Sequence, residues 1–536
     1  MARPVPADHD AFMSAPGETW TYDPSHYPEP MTPLSADVWF FAMGEGIQAA
    51  ARELAAPFGG FTTMLHDGWA YEHELEPAWP FDAERFEQAA LEIAERWERE
   101  YRPRVDEITA ELRLLRPERP PAAGAVAMLD RLVELVLEQW RLHFLTVIPV
   151  HAAREVLHDA WVEQFGKRDE LEPYALIEGL PNETLEADEQ LWTIAERAQE
   201  LDVADVIREL PAGPALERLR TLQAGREVLA ELDRYLLRFG GRSRLHELSE
   251  PRDAEDPVGA LAGVRLFLER PRDLPAERRA RSEQRDRLQA EMLARIEDED
   301  RRARFAGLLE RVVAAVPLEE THTYHIDYPG LQATREALLG FGRRLVAEAR
   351  LDATADVFML RLAELREAVL QDHGLGAQTL VAERRRELEA AKATLPAPYL
   401  GPPPEPGDVP ASVAKFYGVT GSARVEGDLI VGTAASPGSA AGTARVVHGA
   451  EDFGRVERGD ILVCTTTTPA WTPLFGAIGG LVTDTGGILS HAAVVAREYG
   501  VPTVVGAEVA TRLIPDGARV SVDGETGEVR ILRVRS

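Results

Sequence analysis

The residues best suited to chemistry lie in Thr483-Asp484-Thr485-Gly486-Gly487-Ile488-Leu489-Ser490-His491-Ala492-Ala493. An imidazole follows a glycine pair and a serine at the point where a strand pattern gives way to a helical one. A glycine turn exposes backbone N–H groups, and a helix N-terminus adds partial positive charge. Gly486, Gly487 and Ser490 therefore predict an anion-ready cradle around His491, with Ser490 as the helix cap. The same dipole disfavours imidazolium and keeps a lone pair available for attack. Such a histidine could carry a dianionic phosphoryl group for part of a cycle, and the small Ala492 and Ala493 leave its approach open. A histidine that merely caps a glycine turn is the plain alternative.

A second group is His322, Tyr324, His325 and Asp327. It contains a base and a group to orient it, and Arg242 could steady moving phosphoryl oxygens. On a regular helical turn the four cannot share one face, so two of them are expected to act together. Helix residues with purely local hydrogen bonds are the alternative. Trp69, between His66 and His73, could line an aromatic pocket with Trp39, Phe40, Phe41 and Phe144, or could simply be core. The spacings of His66, His73, His143 and His151 fit no compact zinc motif, so no metal site is expected. The single cysteine, Cys464, lies in an apolar run and reads as a buried small hydrophobe.

The elements that must position these residues fall into two regimes. Residues 82–392 are rich in Ala, Leu, Glu and Arg with apolar residues at three- and four-residue spacing, and predict helices such as Ala83–Arg113, Val126–Phe144, Ala215–Phe239, Ala276–Val316 and Arg335–Ala349. A Pro-rich stretch from Leu395 to Gly407 predicts an extended spacer. Short β-branched runs follow: Thr443–Val447, Ile461–Cys464, Leu481–Thr483, Thr503–Val505, Arg519–Val522 and Val529–Leu532, with one helix from His491 to Tyr499. The fold class expected is multidomain α plus α/β. A large, mainly helical domain (1–395) precedes a linker (396–424) and a small α/β domain (425–536).

The segment Gly486–Arg497 with Gly500-Val501-Pro502-Thr503-Val504 resembles the phosphohistidine signature of the phosphoenolpyruvate-utilising enzymes. Ala435–Gly442 and Thr468–Leu474 resemble two earlier stretches of the same mobile domain, in the same order. Leu489 departs from the threonine that dikinases of the family usually carry. The resemblance implies that His491 is the phosphoryl carrier on a domain that swings between two active sites. Pro30-Met31-Thr32-Pro33-Leu34, Phe239–Ser243 with Glu247–Arg252 and Glu255–Pro257, and Glu320–Asp327 leading into Arg335 resemble the acceptor-binding part of rifampicin phosphotransferases and phenylphosphate synthases.

No barrel for pyruvate, no ATP-grasp module and no Gly-Lys phosphate loop is read in these residues. The expectation is a two-component enzyme. An ATP-grasp-type partner subunit would bind ATP and Mg²⁺ and charge His491, which would phosphorylate a small aromatic hydroxyl compound. Rifampicin-type phosphorylation, or phosphohistidine-dependent regulation without an acceptor, are the alternatives.

A net charge of -31 over 536 residues argues against nucleic acid or an anionic membrane as partner. The first residues lack the apolar core of a signal peptide, and a cytoplasmic protein is expected.

Overall fold

A computed structural model describes residues 18–24, 26–166, 172–242, 246–269, 272–370, 377–394, 396–402, 424–448, 450–467, 471–488 and 490–532. Six helices carry or support the candidate residues: α1 (Ala122–Phe165), α2 (Glu183–Glu200), α3 (Gln223–Phe239), α4 (Leu318–His322), α5 (Tyr328–Ala347) and α6 (His491–Tyr499). The chain folds into two compact units that do not follow its linear order.

The first unit comprises Met1–Ala152, Leu245–Pro251 and His322–Pro403. Its sheet has the order β2-β3-β1-β4, with β1 Trp20–Tyr22, β2 Phe61–His66, β3 Trp69–Glu74 and β4 Tyr399–Leu400, all antiparallel. The hairpin β2–β3 turns on Asp67 (φ 50°) and Gly68 (φ 81°), the left-handed pair that a two-residue hairpin turn demands. It lies in the domain expected to be mainly helical, ahead of its helical stretch 82–392. Tyr399 and Leu400, within the expected spacer, pair with Thr21 and Trp20, so that stretch is strand. Residues 403–423 of the spacer lie outside the described residues.

Two long predicted helices are interrupted. Ala215–Phe239 breaks at Leu222 between Ala212–Thr221 and α3, and Ala276–Val316 divides into Leu274–Ala294 and Glu299–Ala315. Asp298 caps the latter by accepting the Arg301 N–H at 2.8 Å.

The second unit comprises Ala153–Arg244, Arg252–Thr321 and Pro404–Ser536, and contains the α/β domain. Its nine strands are β5 (Arg424–Glu426), β6 (Leu429–Val431), β7 (Thr433–Ser436), β8 (Ser439–Val446), β9 (Ile461–Cys464), β10 (Gly480–Thr483), β11 (Thr503–Val505), β12 (Arg519–Asp523) and β13 (Glu528–Leu532). They run in the order β5-β6-β13-β12-β8-β9-β10-β11-β7. The central run β8–β9–β10–β11 is parallel and its flanks are antiparallel.

Alternation along β9 decides the layering. Leu462 and Cys464 join a core with Trp471, Phe475, Leu481 and Ala492, Ala493, Val495 and Ala496 of α6. Ile461 and Val463 pack on the opposite face with Val482, Val504, Val520 and Val529. Both faces of the sheet are thus buried, and α6 is anchored by its alanines with His491 at its first position. Cys464 is buried, as its setting predicted. No helix among the described residues is long and apolar enough to cross a membrane.

Candidate active site

β10 ends at Thr483, and the chain is tied down at once. Thr485 bonds Thr465 O through its N–H and its hydroxyl, both at 3.0 Å, and Thr511 N–H donates to Asp484 at 3.0 Å. Gly486 adopts φ 99°, and a Cβ there would lie 2.8 Å from Ser490 Oγ. Both the torsion and the space demand glycine. Gly487 O accepts the Ser490 N–H at 3.0 Å, and Ser490 Oγ accepts the Ala493 N–H at 3.4 Å, capping α6. Gly500, at φ 64°, ends the helix. The turn–cap–histidine order expected from the sequence is therefore present, although Leu489 and Thr468–Ala470 lie outside the described residues.

His491 is held from the side. Its Nδ1 lies 3.2 Å from Glu320 Oε1, and its side chain is 18% exposed. Glu320 is buried, and its second oxygen accepts from Thr184 Oγ1 of α2 at 2.5 Å. A carboxylate on Nδ1 places the proton there and the lone pair on Nε2. Nε2 has no hydrogen-bond partner among the described residues. Nε2 is itself buried in this structure, and the arrangement assigns the lone pair to that one nitrogen, which the sequence alone did not select.

Asp188, also on α2, accepts the Tyr499 hydroxyl of α6 at 2.6 Å. Burial raises its pKa to about 6, against the pull of Arg242, the Tyr499 bond, His491 and Arg272. Arg242 is buried and donates Nη1 to Tyr235 Oη at 3.0 Å. Its charge is thus felt in the same cluster as that of His491, consistent with a role near a phosphoryl group.

The other candidates are in the first unit, because the division falls between Thr321 and His322. Residues Thr323–Asp327 form a π-helical turn, closed by Tyr328 N–H to Thr323 O. Its i→i+5 geometry brings round a residue five positions on, which a regular α-turn would carry away. His322 Nε2 consequently lies 3.6 Å from Asp327 Oδ2. His143 of α1 supplies a third member, with Nδ1 2.8 Å from Asp327 Oδ1 and its ring 4.6 Å from that of His322.

Burial raises the Asp327 pKa, but His143, His322 and His246 together hold it below the usual value. The three donor groups lie within 4.8 Å of one another, close enough for a cation. Each carboxylate oxygen already faces an imidazole nitrogen, which is the arrangement of a proton relay. In the sequence His143 offers only a metal reading, because nothing local links it to Asp327, 184 residues away.

His325 and Tyr324 leave the relay. His325 packs edge-on against Trp97 and Tyr324 against Tyr328. Trp69 belongs to a core cluster with Trp20, Met64 and Tyr71. Three motif pieces do meet in this unit. Glu247 accepts from Thr32 Oγ1 at 2.7 Å, and Arg335 Nη1 donates to Leu248 O and Ser249 O at 2.8 and 2.9 Å. Beside them is a small recess lined by His26, Tyr27, Thr32, His246, Glu247 and Lys392 among others. Trp39, Phe40, Phe41, Trp69 and Phe144, the aromatic residues offered as a pocket lining, do not border it.

Residues 456–527 match the family described as PEP-utilising enzyme, mobile domain, and residues 143–320 match the rifampicin phosphotransferase fourth domain. Chondramide synthase cmdD of Chondromyces crocatus is 33% identical over 99% of this chain and 14% of its own length. A Bacillus subtilis protein named as an uncharacterized phosphotransferase, YvkC, is 31% identical over 77% of this chain and 49% of its own length. The rifampicin phosphotransferase of Streptomyces sviceus is 34% identical over 62% of this chain and 39% of its own length. The chain thus spans less than half the length of each of these relatives. With its glycine turn, capping serine and leading histidine, the chain carries the mobile domain of the PEP-utilising enzymes and is related to the rifampicin phosphotransferases.

Proposed function

We propose that this chain is the phosphoryl-transfer component of an ATP-dependent phosphotransferase, with His491 as the carrier. The observation that carries the reading is the imidazole itself: Nδ1 tied to Glu320, Nε2 unpartnered, at the N-terminus of α6.

In this reading Nε2 attacks the β-phosphorus of ATP presented by an ATP-grasp-type subunit, and AMP leaves. Water cleaves off the γ-phosphate as inorganic phosphate, leaving the β-phosphoryl group on Nε2. Mg²⁺ on that subunit supplies charge neutralisation of the phosphates. Glu320 stabilises the Nδ1 proton as positive charge grows on the ring, and the dipole of α6 with Arg242 favours the dianion. The acceptor hydroxyl then takes the phosphoryl group and loses its proton to the His143–Asp327–His322 relay. An aromatic hydroxyl suits this base, because its pKa of about 10 lies within reach of an imidazole held by a carboxylate. The overall reaction is ATP, acceptor and water giving phosphorylated acceptor, AMP and phosphate.

The test is transfer of label from β-labelled ATP with the partner subunit and Mg²⁺. Acid-labile label in the wild type and none in His491→Ala supports the carrier. Unchanged labelling of His491→Ala would sink it. Discharge by a panel of phenols then identifies the acceptor class. The match of residues 143–320 to a rifampicin phosphotransferase domain favours a second reading, with rifampicin-type antibiotics as acceptors, so rifampicin belongs in the same panel.

A further inference from the structure

Within the second unit, both ends of α6 are tied to one face of α2. Thr184 and Asp188 are four residues apart on α2 and so lie on the same face of it. Thr184 holds Glu320, which meets Nδ1 of His491 at the first position of α6. Asp188 Oδ2 accepts the hydroxyl of Tyr499, the last residue of α6, at 2.6 Å. Asp188 is 1% exposed, and its Oδ1 has no hydrogen-bond partner among the described residues. A buried carboxyl held so sparely is costly, which points to a use for its bond to Tyr499.

The residues just before Tyr499 are held as well. Glu498 accepts the N–H of Gly179, which lies shortly ahead of the Asn182 cap of α2, at 2.8 Å. Arg281 Nη1 donates to the Arg497 carbonyl at 2.7 Å. The Tyr499 ring packs 6.0 Å from that of Phe475 and lies 5.0 Å below the Arg272 guanidinium. The core-facing side of α6 is mostly methyl groups, Ala492, Ala493 and Ala496 with Val495. Such a face interlocks shallowly and leaves the axial register of the helix to its polar contacts. Register matters here, because Nδ1 and Glu320 stand 3.2 Å apart, at the long end for an N–H···O bond. A slide of α6 by roughly half an ångström would break that bond.

We propose that Tyr499 and Asp188 are positioning residues for the carrier: their bond, with Glu498 on the Gly179 N–H, sets the register of α6 against α2 that brings Nδ1 of His491 onto Glu320. That His491 carries a phosphoryl group rests on the reading above; the positioning of its ring does not.

The test reads the ring directly. The full chain is labelled with ¹⁵N-histidine, and the His491 signals are identified by their loss in His491→Ala. At a pH where the ring is neutral, the wild type should carry its proton on Nδ1. Tyr499→Phe, which removes one hydroxyl and keeps the ring, should show a mixture of tautomers. Asp188→Ala should do the same, while Asp188→Asn, whose amide oxygen can still accept the hydroxyl, should keep the proton on Nδ1. Charging of His491 by phosphoramidate should slow about tenfold in Tyr499→Phe, and no further when Tyr499→Phe is added to Glu320→Ala.

A displaced proton, together with a rate effect that vanishes in the Glu320→Ala background, supports the proposal. An Nδ1 proton absent from the wild type, or unmoved in both Tyr499→Phe and Asp188→Ala, overturns it. Equal slowing in the two backgrounds also overturns it, since Tyr499 would then only support the fold. If Tyr499→Phe does not fold, Asp188→Ala against Asp188→Asn decides by the same signature. Failure of phosphoramidate to label wild-type His491 would count against the carrier reading and leave the ring tautomer to judge the positioning.

Discussion

Glu320 and His491 stand 171 residues apart in sequence and meet across 3.2 Å, the carboxylate on Nδ1 and the opposite ring nitrogen left without a partner. Thr184 holds the far oxygen of that carboxylate, so the imidazole is oriented through a chain of two buried groups. The relationship gives the carrier histidine one tautomer and one reactive nitrogen.

Glu320→Ala should slow phosphorylation of His491 by on the order of 10²-fold, the range expected when an acid–base partner is lost. Glu320→Gln should keep part of the rate, because an amide oxygen can still accept the Nδ1 proton. Antibodies that separate the two phosphohistidine isomers should find only the Nε2 form in the wild type and a mixture in Glu320→Ala. A mixture in the wild type would contradict the assignment.

The relay should act on the acceptor step alone. His322→Ala, His143→Ala and Asp327→Asn should each slow discharge of phospho-His491 to the acceptor by about 10²–10⁴-fold. Charging of His491 should stay within a few fold of the wild type. Rapid-quench measurements of labelled protein resolve the two steps, and equal slowing of both would show that the cluster only supports the fold.

Gly486→Ala should damage the cradle. Its φ of 99° is strained for any other residue, and the new Cβ would sit 2.8 Å from the Ser490 oxygen that caps α6. A cost of about 1–3 kcal/mol is expected for the torsion, with the cap weakened in addition. Thermal melting should fall and labelling of His491 should drop with it. Gly454→Ala, where a Cβ meets nothing within 4 Å, is the control.

Among the carboxyls of the second unit that burial raises, Asp188 and Asp253 reach about 6 and Glu498 about 7. Their folded pKa values lie above the unfolded ones, so the stability they contribute is present in acid and lost as pH rises through the folded values. Glu498 accepts the Gly179 N–H at 2.8 Å, a bond that a glutamine oxygen can keep. Glu498→Gln should therefore match the wild type near pH 4 and gain on it between pH 4.5 and 7, by at most about 3 kcal/mol. Urea denaturation at a series of pH values measures this, and a gap that closes with rising pH would refute it.

Sequence alone determined what short-range sterics control. The strands Ile461–Cys464 and Thr503–Val505 and the helix His491–Tyr499 stand as read, because β-branched runs, a capping serine and a closing glycine act within a few residues. The hairpin Phe61–Glu74 is signalled locally by the Asp67-Gly68 pair, but the residues on either side of it do not alternate cleanly enough to mark strands. Tertiary structure decided the partners. Glu320 with His491, His143 with Asp327 and Asp188 with Tyr499 lie 171, 184 and 311 residues apart. No local pattern encodes such pairs, since they exist only once separate helices have packed. Even His322 with Asp327 depended on a π-turn, because an ordinary helical turn would have placed them on different faces.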